Sequence, residues 1–320
     1  SRCIGITIKG RWLYFRGDVE DIPTGEWEQD PDCTSAIISP DPLHRGIILI
    51  ENGEAVVRKI DVVFPVVMGK HGADGTIQGL LDLSGIPYVG CGVLAAASCM
   101  DKSHIHMVMD DYDIATADWR IITQREISEI DKRCHEIAGE LGFPLIVKPA
   151  KSGTSAGTGK ADDLAQLIAA VKVAFSNDNK VVVEKYVSGR KMEAAVFGYD
   201  TPFSTYIGEI LDPDRVYDPT EVNQSTGDGL KIPADISDEL QASIRETAVK
   251  AYKAMGCKGL ARLDFFLTDD GRLLLNKIGT SPGLRKNSVF PKLMEHMGIS
   301  HEDFVDMLLE QAIDNAERTY

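Results

Sequence analysis

The stretch from Ala261 to Gly279, "ARLDFFLTDDGRLLLNKIG", constrains the chain more than any other. Two apolar runs flank Asp-Asp-Gly, so the segment predicts a β-hairpin. On its first strand Arg262 and Asp264 stand two residues apart and share a face. An Asp on a buried strand beside an Arg is either a structural ion pair or a metal ligand next to an anion-binding cation. The second strand carries Lys277 and Gly279, and Thr-Ser-Pro-Gly then ends at Gly283.

The remaining segments set this hairpin among strands and helices. "CIGITI" and "GRWLYF" predict two short strands across a Lys-Gly turn. "IDVVFPVV" has the continuous apolar character of a strand buried on both faces. "GTIQGLLDLSG" predicts a helix, "IPYVG" a strand and "GVLAAASCMDKSHIHMVMDDY" one longer helix, and this alternation indicates an open α/β sheet. From about Ile114 the texture changes. "DWRIIT" reads as a strand, "SEIDKRCHEIAGELG" as a helix ended by Gly142, and "FPLIVKPA" as a strand. "KSGTSAGTGKA" is a loop of small residues, "DDLAQLIAAVKVAFS" an amphipathic helix with an acidic first turn, and "KVVVEKYV" a strand. Strands follow at "KMEAAVFG" and "FSTYIGEI", with helices over "SDELQASIRETAVKAYKAMG" and near "SHEDFVDMLLEQAIDNAE". Between them the polar stretch "LDPDRVYDPTEVNQSTGDG" is long enough to be a functional loop or lid.

A chain of 320 residues can hold two or three domains. Its net charge of −15 argues against non-specific binding to nucleic acid or anionic membranes. A phosphate site stays open, because it needs only a few local cations and backbone N–H groups. No apolar run reaches the roughly 18 residues of a membrane span, and the N-terminal stretch has no secretory h-region with a cleavage site. Six scattered cysteines without a Cys-x-x-Cys pair predict free thiols in a reducing cytoplasm, not a zinc site or disulfide framework. The seven histidines show no metal-ligand spacing, and each reads as surface or structural.

Lys148 ends a buried-looking strand directly before the loop of small residues. It is either a point charge for phosphate, with loop N–H groups closing over the oxygens, or a strand-end lysine beside a solvent hairpin. Glu184 and Lys185 close "VVV" and precede Tyr186 and Val187. They could read the polar edge of an adenine, although taken alone they fit an ordinary edge-strand charge pair better. Lys102, in "MDKSHIH", is unremarkable alone.

Taken together and in order, the segments resemble the D-alanine–D-alanine ligase family, in the manner of the vancomycin-resistance D-alanine–D-serine ligases. "DVVFPVVMGKHGADGTIQGLLDLSGIPYVGCGVLAAASCMDK", "FPLIVKPAKSGTSAG", "VVVEKYVSGRKMEAAVFG" and "GCKGLARLDFFLTDDGRLLLNKIGTSPG" carry the resemblance. It implies an α/β chain of ATP-grasp fold: a truncated N-terminal open α/β sheet domain over 1–98, a central α+β domain over 99–183 and a C-terminal α+β domain over 184–320. It implies that ATP phosphorylates a first D-alanine and that a second substrate attacks the acylphosphate, in peptidoglycan precursor synthesis. Cations, backbone donors and Mg²⁺ would stabilise the charges that develop. By matching position, Lys102 and Lys148 would contact ATP phosphates. Gly153, Thr154 and Ser155 would cover them, and Glu184, Lys185 and Val187 would line the adenine pocket. Arg262 and the Gly283 N–H would face the oxyanion, Asp264 would hold Mg²⁺ and Ser288 would bind the second substrate's carboxylate. A cytoplasmic homodimer would be the usual assembly.

The resemblance also carries departures. Lys277 and Gly279 stand where the family has two further Mg²⁺ ligands, and Lys191 stands where a Glu holds the ribose. Met68, Ala73 and the pair Val222-Asn223 replace substrate-loop and mobile-loop residues, and the chain begins at the family's second strand. Exchanging a ligating carboxylate for an ammonium swings local charge by two units. One unit pair about 4 Å apart is worth ~4 kcal/mol at an effective dielectric near 20. The expected consequence is weakened ligation, or a non-catalytic relative acting as a nucleotide-binding or regulatory partner, with a dimer loosened by the shorter N-terminal domain.

Overall fold

The computed structural model describes residues 2–18, 21–22, 25–153, 155–211 and 229–319. Thr154 and the polar stretch at 212–228, with Val222 and Asn223, lie outside the described residues. The chain forms two compact units, one of Ser1–Phe64, Gln78–Val89 and Ala312–Tyr320, the other of Pro65–Ile77 and Gly90–Gln311.

In the first unit β1 (Cys3–Ile6), β2 (Trp12–Phe15), β3 (Thr34–Ile38), β4 (Gly46–Glu51) and β5 (Glu54–Lys59) pair in sequence order, all antiparallel. Leu13, Phe15 and Trp27 form a small core, with the Phe15 and Trp27 rings edge-to-face at 6.2 Å. α1 (Thr76–Ser84) follows. The strands expected at "IDVVFPVV" and "IPYVG" shrink to one parallel bridge between Val63 and Tyr88. Val63 N–H donates to Pro87 O at 2.8 Å and Val89 N–H to Val63 O at 2.9 Å. Pro65 and Pro87 bring no N–H, so the ladder cannot extend from there.

In the second unit the expected long helix is two helices, α2 (Val93–Met100) and α3 (Lys102–Asp111). Asp101 breaks it. Its backbone is extended and its carboxylate accepts from Ser103 N–H at 3.1 Å, an N-cap that restarts the helix at Lys102. Next come β6 (Trp119–Thr123), α4 (Ile130–Leu141), β7 (Leu145–Pro149), β8 (Gly159–Ala161), α5 (Leu164–Phe175) and β9 (Lys180–Lys185). The four strands form an antiparallel sheet of order β6-β9-β7-β8. Gly142 ends α4 at φ +65°, as expected, whereas Asp163 caps α5 from outside its first turn. α4 and α5 bury Ile137, Leu167 and Val171 against Leu145, Val147, Val181 and Val183. Strand residues alternate, so Lys148, Val182 and Glu184 point to the opposite, helix-free face.

β10 (Arg190–Gly198), β11 (Phe203–Ser204), β12 (Gly208–Ile210), β13 (Leu230–Lys231), α6 (Asp238–Ala254), β14 (Gly259–Leu267), β15 (Leu273–Gly279), α7 (Val289–His296) and α8 (His301–Thr319) complete the chain. The strands form a second antiparallel sheet of order β13-β12-β10-β14-β15, with β11 on β10. Met192, Ala194, Leu263, Phe265 and Ile278 share a core with Ile244, Ala248 and Tyr252 of α6. The residues between them, Lys191, Glu193, Arg262 and Asp264, take the other face. The expected hairpin is β14 and β15, with a bulge that leaves Asn276 unpaired between Lys277 and Leu275.

All six cysteines are free. Cys91, Cys99, Cys134 and Cys257 are buried. Among the described residues no helix is long and apolar enough to cross a membrane.

Candidate functional site

The site lies within the second unit, where the helix-free faces of its two sheets come together. One segment runs between the sheets. Leu275 N–H on β15 donates to Ala115 O at 2.8 Å, and four residues further on Trp119 opens β6.

On the four-stranded sheet, Lys148 Nζ donates to Glu184 Oε2 at 2.6 Å and reaches across to Asn276 Oδ1 at 3.1 Å. The other oxygen of Glu184 meets His106 Nε2 at 3.2 Å, and His106 Nδ1 is 2.8 Å from Thr116 Oγ1. The His106 ring stacks on Trp119 at 4.9 Å. Burial works against the Glu184 charge, but Lys148 and His106 outweigh it and hold the carboxyl at about 2. Lys102, first residue of α3, donates to Pro149 O at 3.1 Å and Ser152 O at 3.0 Å. Burial, then Lys148 and Lys277, push its ammonium down to about 8.

On the hairpin sheet, Arg262 grips Asp264 with two hydrogen bonds, Nε to Oδ1 at 2.7 Å and the terminal nitrogen to Oδ2 at 2.8 Å. Glu193 pairs in register with Asp264 across β10 and β14, and Asp264 with Lys277 across β14 and β15. All three therefore share one face. Glu193 Oε2 is 3.2 Å from Arg262 Nε, but the single Nε hydrogen goes to Asp264. Among the described residues that oxygen, on a side chain nine-tenths buried, accepts no hydrogen bond. Burial first, reinforced by Asp264 and opposed by Arg262, Lys277 and Lys191, pushes the Glu193 carboxyl up.

The structure thus brings Lys102, Lys148, Glu184, Arg262 and Asp264 to one place and adds Lys191 and Lys277 through their fields at Glu193. Lys185 points away from Glu184, its Nζ donating to Phe143 O at 2.9 Å, and Val187 lies just beyond β9. Gly153 passes so close to Gly69 that a Cβ would sit 3.0 Å from its Cα. Ser155 is exposed, its carbonyl accepting from Thr158 N–H at 2.9 Å. Gly283 is in the loop after β15, which Ser281 Oγ ties to Val67 O at 2.8 Å. Ser288 is buried at the start of α7 and makes no side-chain cap.

The hairpin does not fit a pair of divalent cations. Mg²⁺ needs a near-octahedral oxygen set. Both Asp264 oxygens are engaged by Arg262, the facing residue is Lys277 and Gly279 offers no side chain. Among the described residues no three His, Cys, Asp or Glu gather as a metal site.

Sequence reasoning missed Glu193, His106 and Asn276. Glu193 was within reach: it stands two residues after Lys191 on one predicted strand and so shares its face. The His106 contact depends on the break at Asp101, and that of Asn276 on the bulge.

Two sheets meeting over a lysine-rich face define an ATP-grasp α/β protein. The family description "D-ala D-ala ligase N-terminus" matches residues 1–91, and "D-ala D-ala ligase C-terminus" matches residues 108–310. The chain belongs to the D-alanine–D-alanine ligase family. It is 40% identical to the D-alanine–D-alanine ligase of Acetivibrio thermocellus, over 97% of this chain and 86% of that protein. It is 37% identical to the vancomycin/teicoplanin A-type resistance protein VanA of Enterococcus faecium, over 97% and 88%. Among solved structures, the VanG D-Ala:D-Ser ligase of Enterococcus faecalis superposes with a TM-score of 0.87 at 32% identity, covering 97% of this chain and 88% of that one.

Proposed function

We propose that the chain binds ATP on the face formed by Lys102, Lys148 and Glu184 and is a D-alanine-activating ligase whose turnover is weakened. The observation that carries this reading is the Lys148 bridge, which joins Glu184 on one sheet to Asn276 on the other. Adenine would lie along Glu184, Lys185 and Val187, with the ribose near Lys191 and the phosphates under the Gly153–Ser155 loop. The γ-phosphoryl group would pass to the carboxylate of a first D-alanine, releasing ADP. The amine of a second D-amino acid would then attack the acyl carbon and release phosphate. Arg262 and the Gly283 N–H would face the oxygen that gains charge, and Ser288 the second substrate's carboxylate.

Weakened turnover follows from the hairpin, where Lys277 and Gly279 leave Asp264 as the one carboxylate expected to hold a cation, and Arg262 already holds Asp264. The same observation favours a second reading, a nucleotide-binding paralogue that regulates a partner. A division at 98 and 183, and a homodimer, belong to the same proposal. The test is ATP-dependent phosphate release with D-alanine, run beside a nucleotide titration. ATP binding with dipeptide formation that is very slow or undetectable is the expected result. Robust dipeptide synthesis would return the chain to the ordinary ligases, and absence of nucleotide binding would remove both readings.

A further inference from the structure

We infer that the hairpin face binds the triphosphate of a nucleotide without a divalent cation, with the Lys277 ammonium taking the metal's part and Glu193 positioning it. The inference rests on the nucleotide reading above.

Charge is the first ground. Among the described residues five cations, Lys102, Lys148, Lys191, Arg262 and Lys277, share this place with three carboxylates, Glu184, Glu193 and Asp264. The next carboxylate in the field of Lys102, Asp178, is paired with Lys151. A region already positive repels further cations and attracts a polyanion. The downward pressure on Lys102 from Lys148 and Lys277 is the same repulsion, and a phosphate chain among the three would relieve it.

Geometry is the second ground. Lys277 stands opposite Asp264 in the ladder and directly follows Asn276, which accepts from Lys148 of the other sheet, so it lies between the two halves of the site. Among the described residues no carboxylate is within 4.0 Å of Lys277, so its ammonium is uncommitted. Glu193 Oε2 is an unused acceptor two strands away on the same face. An ammonium is a compact point charge that suits phosphate oxygens. Both Asp264 oxygens are hydrogen-bonded to Arg262, whereas Glu193 shares only an ion pair with Arg262 and keeps Oε2 free of hydrogen bonds, so it can steer Lys277.

The experiment is calorimetric titration of the full chain with ATP in EDTA and, separately, in excess MgCl₂. ATP in EDTA should bind at least as tightly as ATP with Mg²⁺. Lys277→Glu should weaken binding in EDTA about 30-fold and Lys277→Gln about fivefold, a modest range because Lys277 is exposed. Circular dichroism and melting curves establish that each variant is folded. Glu193→Gln should shift the ratio of the two affinities in the native background and not in Lys277→Gln, a coupling that a merely structural Glu193 would not show. Binding that requires Mg²⁺, an unchanged affinity in Lys277→Glu, or equal effects of Glu193→Gln in both backgrounds would overturn the inference while leaving the nucleotide reading intact. If neither form of ATP binds, both fall.

Discussion

The two sheets that meet in the second unit handle charge in opposite ways. On the four-stranded sheet every oxygen of Glu184 has a partner, and Lys148 lies between two acceptors. That set is closed and pre-organised before any ligand arrives. On the hairpin sheet, among the described residues, Glu193 keeps an oxygen with no hydrogen bond and cations outnumber carboxylates. A closed set holds structure, whereas an open one leaves cations that a ligand can satisfy. The same carboxylate chemistry is therefore expected to stabilise the fold in one sheet and to strain it in the other.

The largest effect should come from opening the closed set. Glu184→Gln keeps the shape of the side chain but leaves Lys148 buried without its counter-charge. Breaking a buried pair typically costs about 3–5 kcal/mol, so urea unfolding should show a loss of that order, with nucleotide binding lost as well. The pH dependence has a definite sign. Glu184 is held at about 2, below the roughly 4.3 of an unfolded Glu. Its stabilisation is complete above the unfolded value and disappears as pH falls through the folded one. The native chain should thus lose about 3 kcal/mol over that window, and Glu184→Gln should be flatter there. Equal acid sensitivity in the two proteins would erase the distinction between the sheets.

The parts that were legible in the sequence are those that local pattern decides. Alternating apolar runs fixed the β14–β15 hairpin, and the strand-end position of Lys148 placed it beside a loop. The parts that were not legible depend on pairing. Nothing in "LLLNKIG" says that Asn276 bulges out to meet a lysine 128 residues away. The apolar surface of "GVLAAASCMDKSHIHMVMDDY" conceals the break because Asp101 acts through a cap, which hydrophobic periodicity does not register. Likewise "IDVVFPVV" has the composition of a buried strand, but one missing N–H at Pro65 limits its pairing more than its composition promotes it.

A middle-sized effect lies where the sheets share a charge. Lys102 feels Lys148 from one side and Lys277 from the other, with Glu184 and Asp178 opposing them. In the free protein its ammonium is lost as pH rises through about 8, and bound phosphate would hold the proton on. Binding then takes up a proton above that pH, so affinity should fall as pH rises, by at most about tenfold per unit. Titrations with ATP on either side of pH 8 should show the fall, and Lys102→Met should flatten it. A fall of the same steepness in Lys102→Met would assign the titration to another group.

The smallest effect should be the most discriminating. Glu193 and Glu184 are both buried carboxylates beside a cation, and by burial alone their loss should cost the same. Their partners differ. The Arg262 Nε hydrogen goes to Asp264, so removing the Glu193 charge strands no hydrogen bond, and the relief of burying that charge offsets the lost attraction to Arg262, Lys277 and Lys191. Glu193→Gln should therefore change stability by less than about 1 kcal/mol and in the stabilising direction. The sign of the pH effect is reversed as well. A carboxyl raised in the folded state favours folding below its unfolded value, and that contribution is lost as pH rises through the folded one. Over the interval above the unfolded Glu value, Glu193 should cost the native chain stability while Glu184 keeps its full contribution. Urea unfolding of Glu193→Gln across that interval measures the difference. A loss as large as that of Glu184→Gln would mean that Glu193 is a closed structural partner like Glu184, and the hairpin face would no longer be the open half of the site.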